Sequence, residues 1–352
     1  MPNDVPTLKD VAERAGVSLA TASRALSGDH PMTVDTRERV LAAVEATGYR
    51  RVRGRNRAAT PMVAVVAAGL GHLVTAEVVA GIEDVSAEAD RRCTIALTKA
   101  QVAREIAVLR DLADDDRVSA AIVVGGVFAD DDWRKAITEV AATFAEREAP
   151  LVFCGREVRD LTAPGLRMLD YDNRGGAAAI VGMLLGQGHR AIGTLRGGPG
   201  FSTSDQRQAG YRQAFDDFGV PRDPDLEQIG DRHEQFGTDG MIALLRRRPD
   251  VTAVFAENDA LATGAIRGAR LLGLTLPDDV SIVGFDDMHG VANLAPALTT
   301  VHMPYAELGR RAARVALGLD TSVAGEPVVV GTHIVVRESV APPRRGDLVL
   351  PD

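Results

Sequence analysis

From Met62 onward the chain repeats one local pattern, a short apolar run followed by an amphipathic stretch, and this alternation restricts the fold more than any other feature. The runs are MVAVV (62–66), CTIAL (93–97), AAIVVGG (120–126), LVFCG (151–155), RMLDY (167–171), AIGTL (191–195), AVFAEN (253–258) and VSIVGF (280–285). Segments such as TAEVVAGIEDVSAEAD and SDQRQAGYRQAFDDF separate them. Strand and helix in turn give βαβ units with right-handed crossovers, so the strands lie parallel and helices cover both faces. The ~280 residues involved exceed one ordinary core, so an α/β body of two such layers facing each other across a cleft is expected.

The chain has 352 residues, 45% of them hydrophobic, and no apolar run of the ~18 residues that would span a bilayer, as in a soluble protein of two or three domains. The N-terminus MPNDVPTLKD lacks the basic and apolar regions of an export signal, which points to the cytoplasm. Cys93 and Cys154 lie in strand-like runs and read as buried structural thiols; no metal-ligand spacing and no cofactor motif is found. The net charge of −9 is unevenly spread. Residues 1–60 hold ten Lys and Arg against seven Asp and Glu, a balance of +3 that leaves −12 for the remainder, and five arginines crowd between Arg50 and Arg57. A basic head on an acidic body keeps phosphate attraction local.

That head contains TLKDVAERAGVSLATASRALSGDHPMTVDTRERVLAAVEATGY (Thr7–Tyr49). Thr7 can cap a first helix carrying Leu8, Val11, Ala12 and Ala15 on one face, and Gly16 supplies the positive φ that ends it. Val17 fills the corner, and Ser18 caps a second helix, LATASRAL, with Ala22, Ala25 and Leu26 turned inward. Two helices across so tight a turn form a helix-turn-helix, leaving Leu19, Ala20, Ser23 and Arg24 to a DNA major groove. On helix spacing alone, a solvated amphipathic pair is an equal alternative.

These residues resemble the headpiece of the LacI/GalR family of bacterial repressors, matching T-[IL]-K-D-V-A-x-x-A-G-V-S-x-A-T-x-S-R-x-L and then T-R-x-R-V-L-x-A-x-x-x-x-G-Y. The body is similar to the periplasmic-binding-protein type I sensor of the same family through DNRGG (172–176), GHRAI (188–192), RQAGY (207–211), FAEND (255–259), DVSIVGFDD (279–287) and LTTV (298–301). The match runs from about Thr7 to Pro342. It implies a three-helix headpiece over 1–49, a hinge over 50–61, an effector-binding and dimerisation domain over 62–342 and a tail over 343–352. It also implies three crossings between subdomains, near Glu157, His289 and Leu319. The first subdomain would then hold 62–157 and 290–318, and the second 158–288 and 320–340.

In open α/β sheets ligands bind beyond the carboxyl ends of the strands. The polar residues at such ends are His72, Arg156, Asp170, Asp172, Asn258, Asp259 and Asp286, while Arg207 sits one turn into the helix after RGGPG and Arg232 follows a later strand. The resemblance assigns Arg207, Asn258 and Asp286 to hydrogen bonds with an effector; read singly, they are equally a surface ion pair, an N-cap and a turn residue. Where the family commonly has N-P-F-F after the first strand, this chain has His72-Leu73-Val74-Thr75, and Arg232 replaces an aromatic. Aromatics make up 4% of the chain, so sugar stacking has few candidates. With Arg156, Arg207 and Arg232 around one cleft, an acidic or phosphorylated effector is expected, a hydroxylated one such as a sugar being the alternative.

On the DNA side, Arg24 can offer two parallel N–H donors to guanine O6 and N7, worth ~1–3 kcal/mol of discrimination. Leu19 and Ala20, at positions the family varies, offer apolar contact, for instance to a thymine methyl. The hydroxyls of Thr7, Ser18, Thr21, Ser23, Thr33, Thr36 and Tyr49, with Arg53, Arg55 and Arg57, suit phosphate oxygens. One headpiece buries too little for tight binding, so a homodimer on a near-palindromic operator is expected. In the hinge RRVRGRNRAATP, Gly54 weakens a helix by about 1 kcal/mol. Ala58 stands where the family has a wedging leucine, so weaker DNA bending is expected.

An enzyme is disfavoured. Gly69-Leu70-Gly71 lacks the third glycine of a dinucleotide motif because Val74 stands there, no nucleophile elbow or P-loop occurs, and His189 reads as a turn residue rather than a base. The expected function is a DNA-binding transcriptional regulator, in the first place a repressor, whose operator affinity follows closure of the cleft on an effector.

Overall fold

The computed structural model describes residues 7–27, 33–47, 61–71, 73–156, 158, 160–320, 328–348 and 350, which fall into two units, residues 1–59 and 60–352. Tyr49, Arg53, Arg55, Arg57, His72, Glu157 and the hinge up to Thr60 lie outside the described residues.

In the first unit, α1 (Leu8–Ala15), α2 (Leu19–Ser27) and α3 (Val34–Thr47) enclose Val11, Ala15, Ala25, Val40 and Ala43, with Leu8, Val17 and Val44 against them. Thr7 and Asp10 form a reciprocal capping box: the Thr7 N–H donates to the Asp10 carboxylate at 2.7 Å, and the Asp10 N–H donates back to the Thr7 hydroxyl. Gly16 then turns left-handed, with φ 65°, so that the Val17 N–H closes onto the Ala12 carbonyl at 3.0 Å. Ser18 starts α2 by accepting the Thr21 N–H at 3.0 Å.

The second unit begins with β1 (Met62–Ala67), α4 (Leu73–Glu88), β2 (Arg92–Leu97), α5 (Val102–Ala113), β3 (Val118–Val124), α6 (Asp131–Glu146), β4 (Leu151–Cys154) and β5 (Leu166–Tyr171). It continues through α7 (Asn173–Gly186), β6 (Ile192–Gly197), α8 (Ser202–Asp217), β7 (Glu227–Gly230), α9 (Glu234–Arg247), β8 (Ala253–Ala256), α10 (Asp259–Leu271) and β9 (Ser281–Val283). Last come β10 (Thr300–His302), α11 (Tyr305–Ala316), β11 (Val328–Val330) and β12 (His333–Val335). One parallel sheet has the order β11-β5-β4-β3-β1-β2 and the other β7-β6-β8-β9, while β10 pairs antiparallel with β12. The central strands β1, β3, β4 and β8 read as nearly unbroken apolar runs because both faces are covered. In β1, Val63, Val65 and Ala67 share a core with Val78 and Ile82 of α4 and Leu308 of α11, whereas Ala64 and Val66 share one with Leu109 of α5 and Ile137 of α6.

Strand pairing moves the crossings. β5 and β11 hydrogen-bond within the first sheet, so the chain leaves that subdomain between Tyr171 and Asn173 rather than near Glu157. Val291 and Leu298 belong to the core of the second sheet, and Thr299 bridges Val283, so the return falls between His302 and Tyr305 rather than near His289. The last crossing lies between Val330 and His333 rather than near Leu319. Part of the expected tail is also packed: Leu348 donates its N–H to the Pro249 carbonyl at 2.9 Å, and Arg344 donates to the Pro249 and Val251 carbonyls. Cys154 is buried as expected, but Cys93 is only half-buried. Among the described residues, no helix is long and apolar enough to cross a membrane.

Candidate functional site

The first unit presents α2 with Leu19, Ala20 and Arg24 exposed, Leu19 to 53%. The hydroxyls expected to meet phosphates have local partners: Ser18 bonds Thr21 at 2.8 Å, Thr33 bonds Thr36 at 2.8 Å, and Thr7 donates to Asp10 at 2.7 Å. The Ser23 side chain lies outside the described residues.

In the second unit, the carboxyl edges of the two parallel sheets meet. Arg207, on the first turns of α8, is the hub. Its guanidinium lies 2.9 Å from Asp286, donates to Asn173 Oδ1 at 2.9 Å and to the Glu257 carbonyl at 2.6 Å, and stacks 3.9 Å from the Phe285 ring centroid. Tyr305, which opens α11 in the first subdomain, donates its hydroxyl to the same Asp286 oxygen at 2.7 Å. Asp286 holds φ 114°, a conformation costly for a residue with a Cβ, so backbone strain accompanies its placement. Burial pushes its carboxyl up, and Arg207 and Tyr305 oppose that shift. Asp259 sits behind it, accepting from Thr300 at 2.6 Å and from the Met288 N–H at 2.7 Å. Burial, and then the Asp286 charge, push Asp259 up to about 8. Of the two neighbouring carboxyl groups, Asp286 has the cation and Asp259 does not, which favours the charged form at Asp286 over Asp259.

Two further contacts join the walls. Gln206 donates to Asp170 at 3.1 Å, and Phe128, after β3, bridges Phe201, before α8, with ring centroids 5.1 Å apart. The Ser202 N–H donates to the Val127 carbonyl at 3.1 Å in the same bridge. Arg232 lies over the Phe201 ring at 3.5 Å, and burial pulls its pKa down.

Of the residues singled out from sequence, the structure brings Asp170, Arg207, Arg232 and Asp286 together. Asn258 stands beside them as a cap: its Oδ1 starts α10 by accepting the Leu261 N–H at 2.8 Å, and one N–H of its Nδ2 donates to the Arg232 carbonyl at 3.3 Å. Asp172 likewise caps α7 through the Gly175 N–H at 2.7 Å. Arg156 does not join the group. It pairs with Glu105 at 2.7 Å, donates to the Gly125 and Gly126 carbonyls and rests against Trp133 and Phe153. A groove of about 660 Å³ elsewhere, along the outer face of α8, carries Arg174, Arg196 and Arg222, whose partners are Gln213, Glu227 and Asp216.

Comparison with known proteins follows the same division. Residues 7–51 match the model of bacterial regulatory proteins of the lacI family, and residues 181–340 match that of a periplasmic binding protein-like domain. The HTH-type transcriptional regulator CelR of Thermobifida fusca is 31% identical, over 95% of this chain and 98% of its own. The chain belongs to the LacI family. The HTH-type transcriptional repressor CytR of Escherichia coli is another relative, 31% identical over 87% of each chain. Among solved structures, a CelR–cellobiose complex aligns with a TM-score of 0.67 at 30% identity, covering 95% of this chain and all of that one. These LacI-family relatives are regulators of transcription and not enzymes. In keeping with that, His189 is a structural residue, bonded to Thr252 at 2.8 Å and to the Ala341 carbonyl at 2.9 Å.

The strand-end rule missed Asn173, Phe201, Ser204, Glu257, Phe285 and Tyr305. Glu257 lies inside the quoted FAEND, Phe285 inside DVSIVGFDD, and Phe201 directly after RGGPG, so proximity to strand ends was the available signal. Tyr305 comes from another subdomain and carried none.

Proposed function

We propose that this LacI-family chain is a dimeric repressor whose operator affinity is set by a small, uncharged, polyhydroxylated effector held between the two sheets. The observation that carries the reading is the fixed Arg207–Asp286–Tyr305 group, which joins both subdomains at the carboxyl edges of their sheets. Its charge balance argues for an uncharged ligand over an acidic one. Asp286 is paired with Arg207, and Glu257 lies near Arg207 and Arg232, so the two cations meet two carboxyl groups, while Arg156 is neutralised by Glu105 in the first subdomain. The cellobiose in the CelR complex and the description of CytR as a repressor point the same way. Effector contacts on both walls would fix their relative angle, and a coupling of about 1–3 kcal/mol between cleft and headpiece suffices to shift operator occupancy.

The test is binding to an operator selected by the protein from random DNA, with cellobiose, cellobiosylamine and cellobionate as probes. A two-fold symmetric site, bound in a salt-sensitive way and shifted about fivefold or more by cellobiose, supports the reading. Turnover of the disaccharide, or DNA retention without sequence preference, overturns it.

A further inference from the structure

Glu257 directly follows β8 and adjoins the Asn258 cap, and it is only 3% exposed. Its Oε1 accepts from Ser204 Oγ at 2.9 Å, but its Oε2 is buried without a hydrogen-bond partner. The carboxylate stands at the carboxyl edge of the second sheet, where a Cβ on Gly197, the last residue of β6, would lie 3.0 Å from Oε1. Burial pushes the Glu257 carboxyl up, and Arg207, the Ser204 hydroxyl, the Gly197 backbone and Arg232 oppose that shift, yet neither arginine is an ion-pair partner: Arg207 is taken by Asp286, and Arg232 lies on Phe201. In the other subdomain, at the end of β5, the Tyr171 hydroxyl is also buried without a partner. Buried polar atoms of this kind are rare because each forfeits its hydration, and an apolar side chain would avoid the loss. An acceptor kept at this edge is therefore an acceptor for something that arrives.

We propose that Glu257 is a specificity-determining contact, whose Oε2 receives a hydrogen bond from a hydroxyl or ammonium of the effector and turns away a carboxylate or phosphate at that position. This rests on the effector cleft proposed above and adds the group that selects among its ligands. Ser204 fixes the carboxylate through Oε1, so the free oxygen has a defined direction, and a charge-assisted bond is the strongest kind an uncharged ligand can make there.

Calorimetry on the full chain, wild type against Glu257→Gln, tests it with cellobiose, cellobiosylamine and cellobionate. The amide keeps the Ser204 bond through its oxygen and replaces the acceptor Oε2 by a donor. The wild type is expected to bind the amine and the neutral sugar about tenfold or more tighter than the carboxylate. In E257Q that preference collapses, the first two weakening and cellobionate gaining. Ratios preserved within about twofold overturn the proposal alone, whereas failure of all three to bind the wild type overturns the cleft reading and this proposal together. Without ligand, E257Q should melt no lower than the wild type, because an amide costs less to bury than a carboxylate. A melting temperature lower by several degrees identifies Glu257 as a structural acid and refutes the proposal whatever the ligands do.

Discussion

The Arg207 guanidinium meets the Asp286 carboxylate at 2.9 Å, both groups buried, with one from the start of α8 and the other from the turn after β9. Removing one partner of such a pair leaves an uncompensated charge. Asp286→Asn is expected to cost roughly 3–5 kcal/mol in urea unfolding and to abolish the effector response. Arg207→Lys keeps the charge but cannot serve Asp286, Asn173 and the Glu257 carbonyl at once, so it should lose less stability and still lose effector affinity. Equal stability losses in the two variants would count against the hub role of Arg207.

Arg24 is the exposed cation of α2, and Arg37 is an exposed cation of α3. Arg24→Ala is expected to lose ~1–3 kcal/mol of discrimination at one operator base pair, read by titrating single-base variants of the site. If Arg37 meets phosphate, Arg37→Ala weakens all sequences alike and lowers the salt slope by about one.

Gly126 has no room for a side chain, since a Cβ there would lie 2.6 Å from the Phe201 ring, which is itself held under Arg232. Gly126→Val should therefore force the two walls apart, whereas Phe128→Ala should merely loosen them. Small-angle scattering is expected to show a larger radius of gyration for Gly126→Val, and an unchanged radius would argue that the bridge repacks.

The Asp259 carboxyl, raised to about 8 by burial and the neighbouring Asp286, titrates near 3.8 once unfolded. Between those values the native state holds a proton that the unfolded state has released. Its contribution is fully present below pH ~4 and is lost as pH rises toward 8, at up to about 1.4 kcal/mol per pH unit. Asp259→Asn mimics the protonated acid toward Thr300 and Met288, so stability measured from pH 5 to 8 should fall less steeply in that variant.

Glu105 gives a contrast. Glu105→Gln is expected to destabilise the first subdomain by a few kcal/mol, since Arg156 stays buried. Effector affinity in calorimetry should remain unchanged if Arg156 is purely structural.

Eight strands were legible as apolar runs, seven of them because most of their residues are buried, while the edge strand β2 keeps an apolar sequence although Ile95 and Leu97 are exposed. The others were not, for reasons visible in their residues. β7 is EQIG, with two polar residues at its start, and β10, β11 and β12 are three residues each, lying in the crossings or at a sheet edge. The crossings themselves were misplaced because β5 looks like the start of a new layer until its pairing with β4 is known. Arg156 was read as an effector cation for a similar reason. Its partner, Glu105, is 51 residues away on α5, and nothing local announces the pair. Asp286 stood at a strand end and Arg207 in the helix after RGGPG, and the family resemblance assigned both, while Tyr305 enters from the far side of a crossing.

The Phe128–Phe201 bridge is made of two rings and a main-chain hydrogen bond, and it follows β3, two strand spacings or ~10 Å from β5, after which the first crossing begins. A jaw with its pivot on one side and a clasp on the other exchanges its contents only as often as the clasp lets go. Release of the proposed effector would then require the two phenylalanines to part as well as the cargo's own contacts with both walls to break. A cell using such a switch would register a sustained supply of effector and ignore a brief pulse.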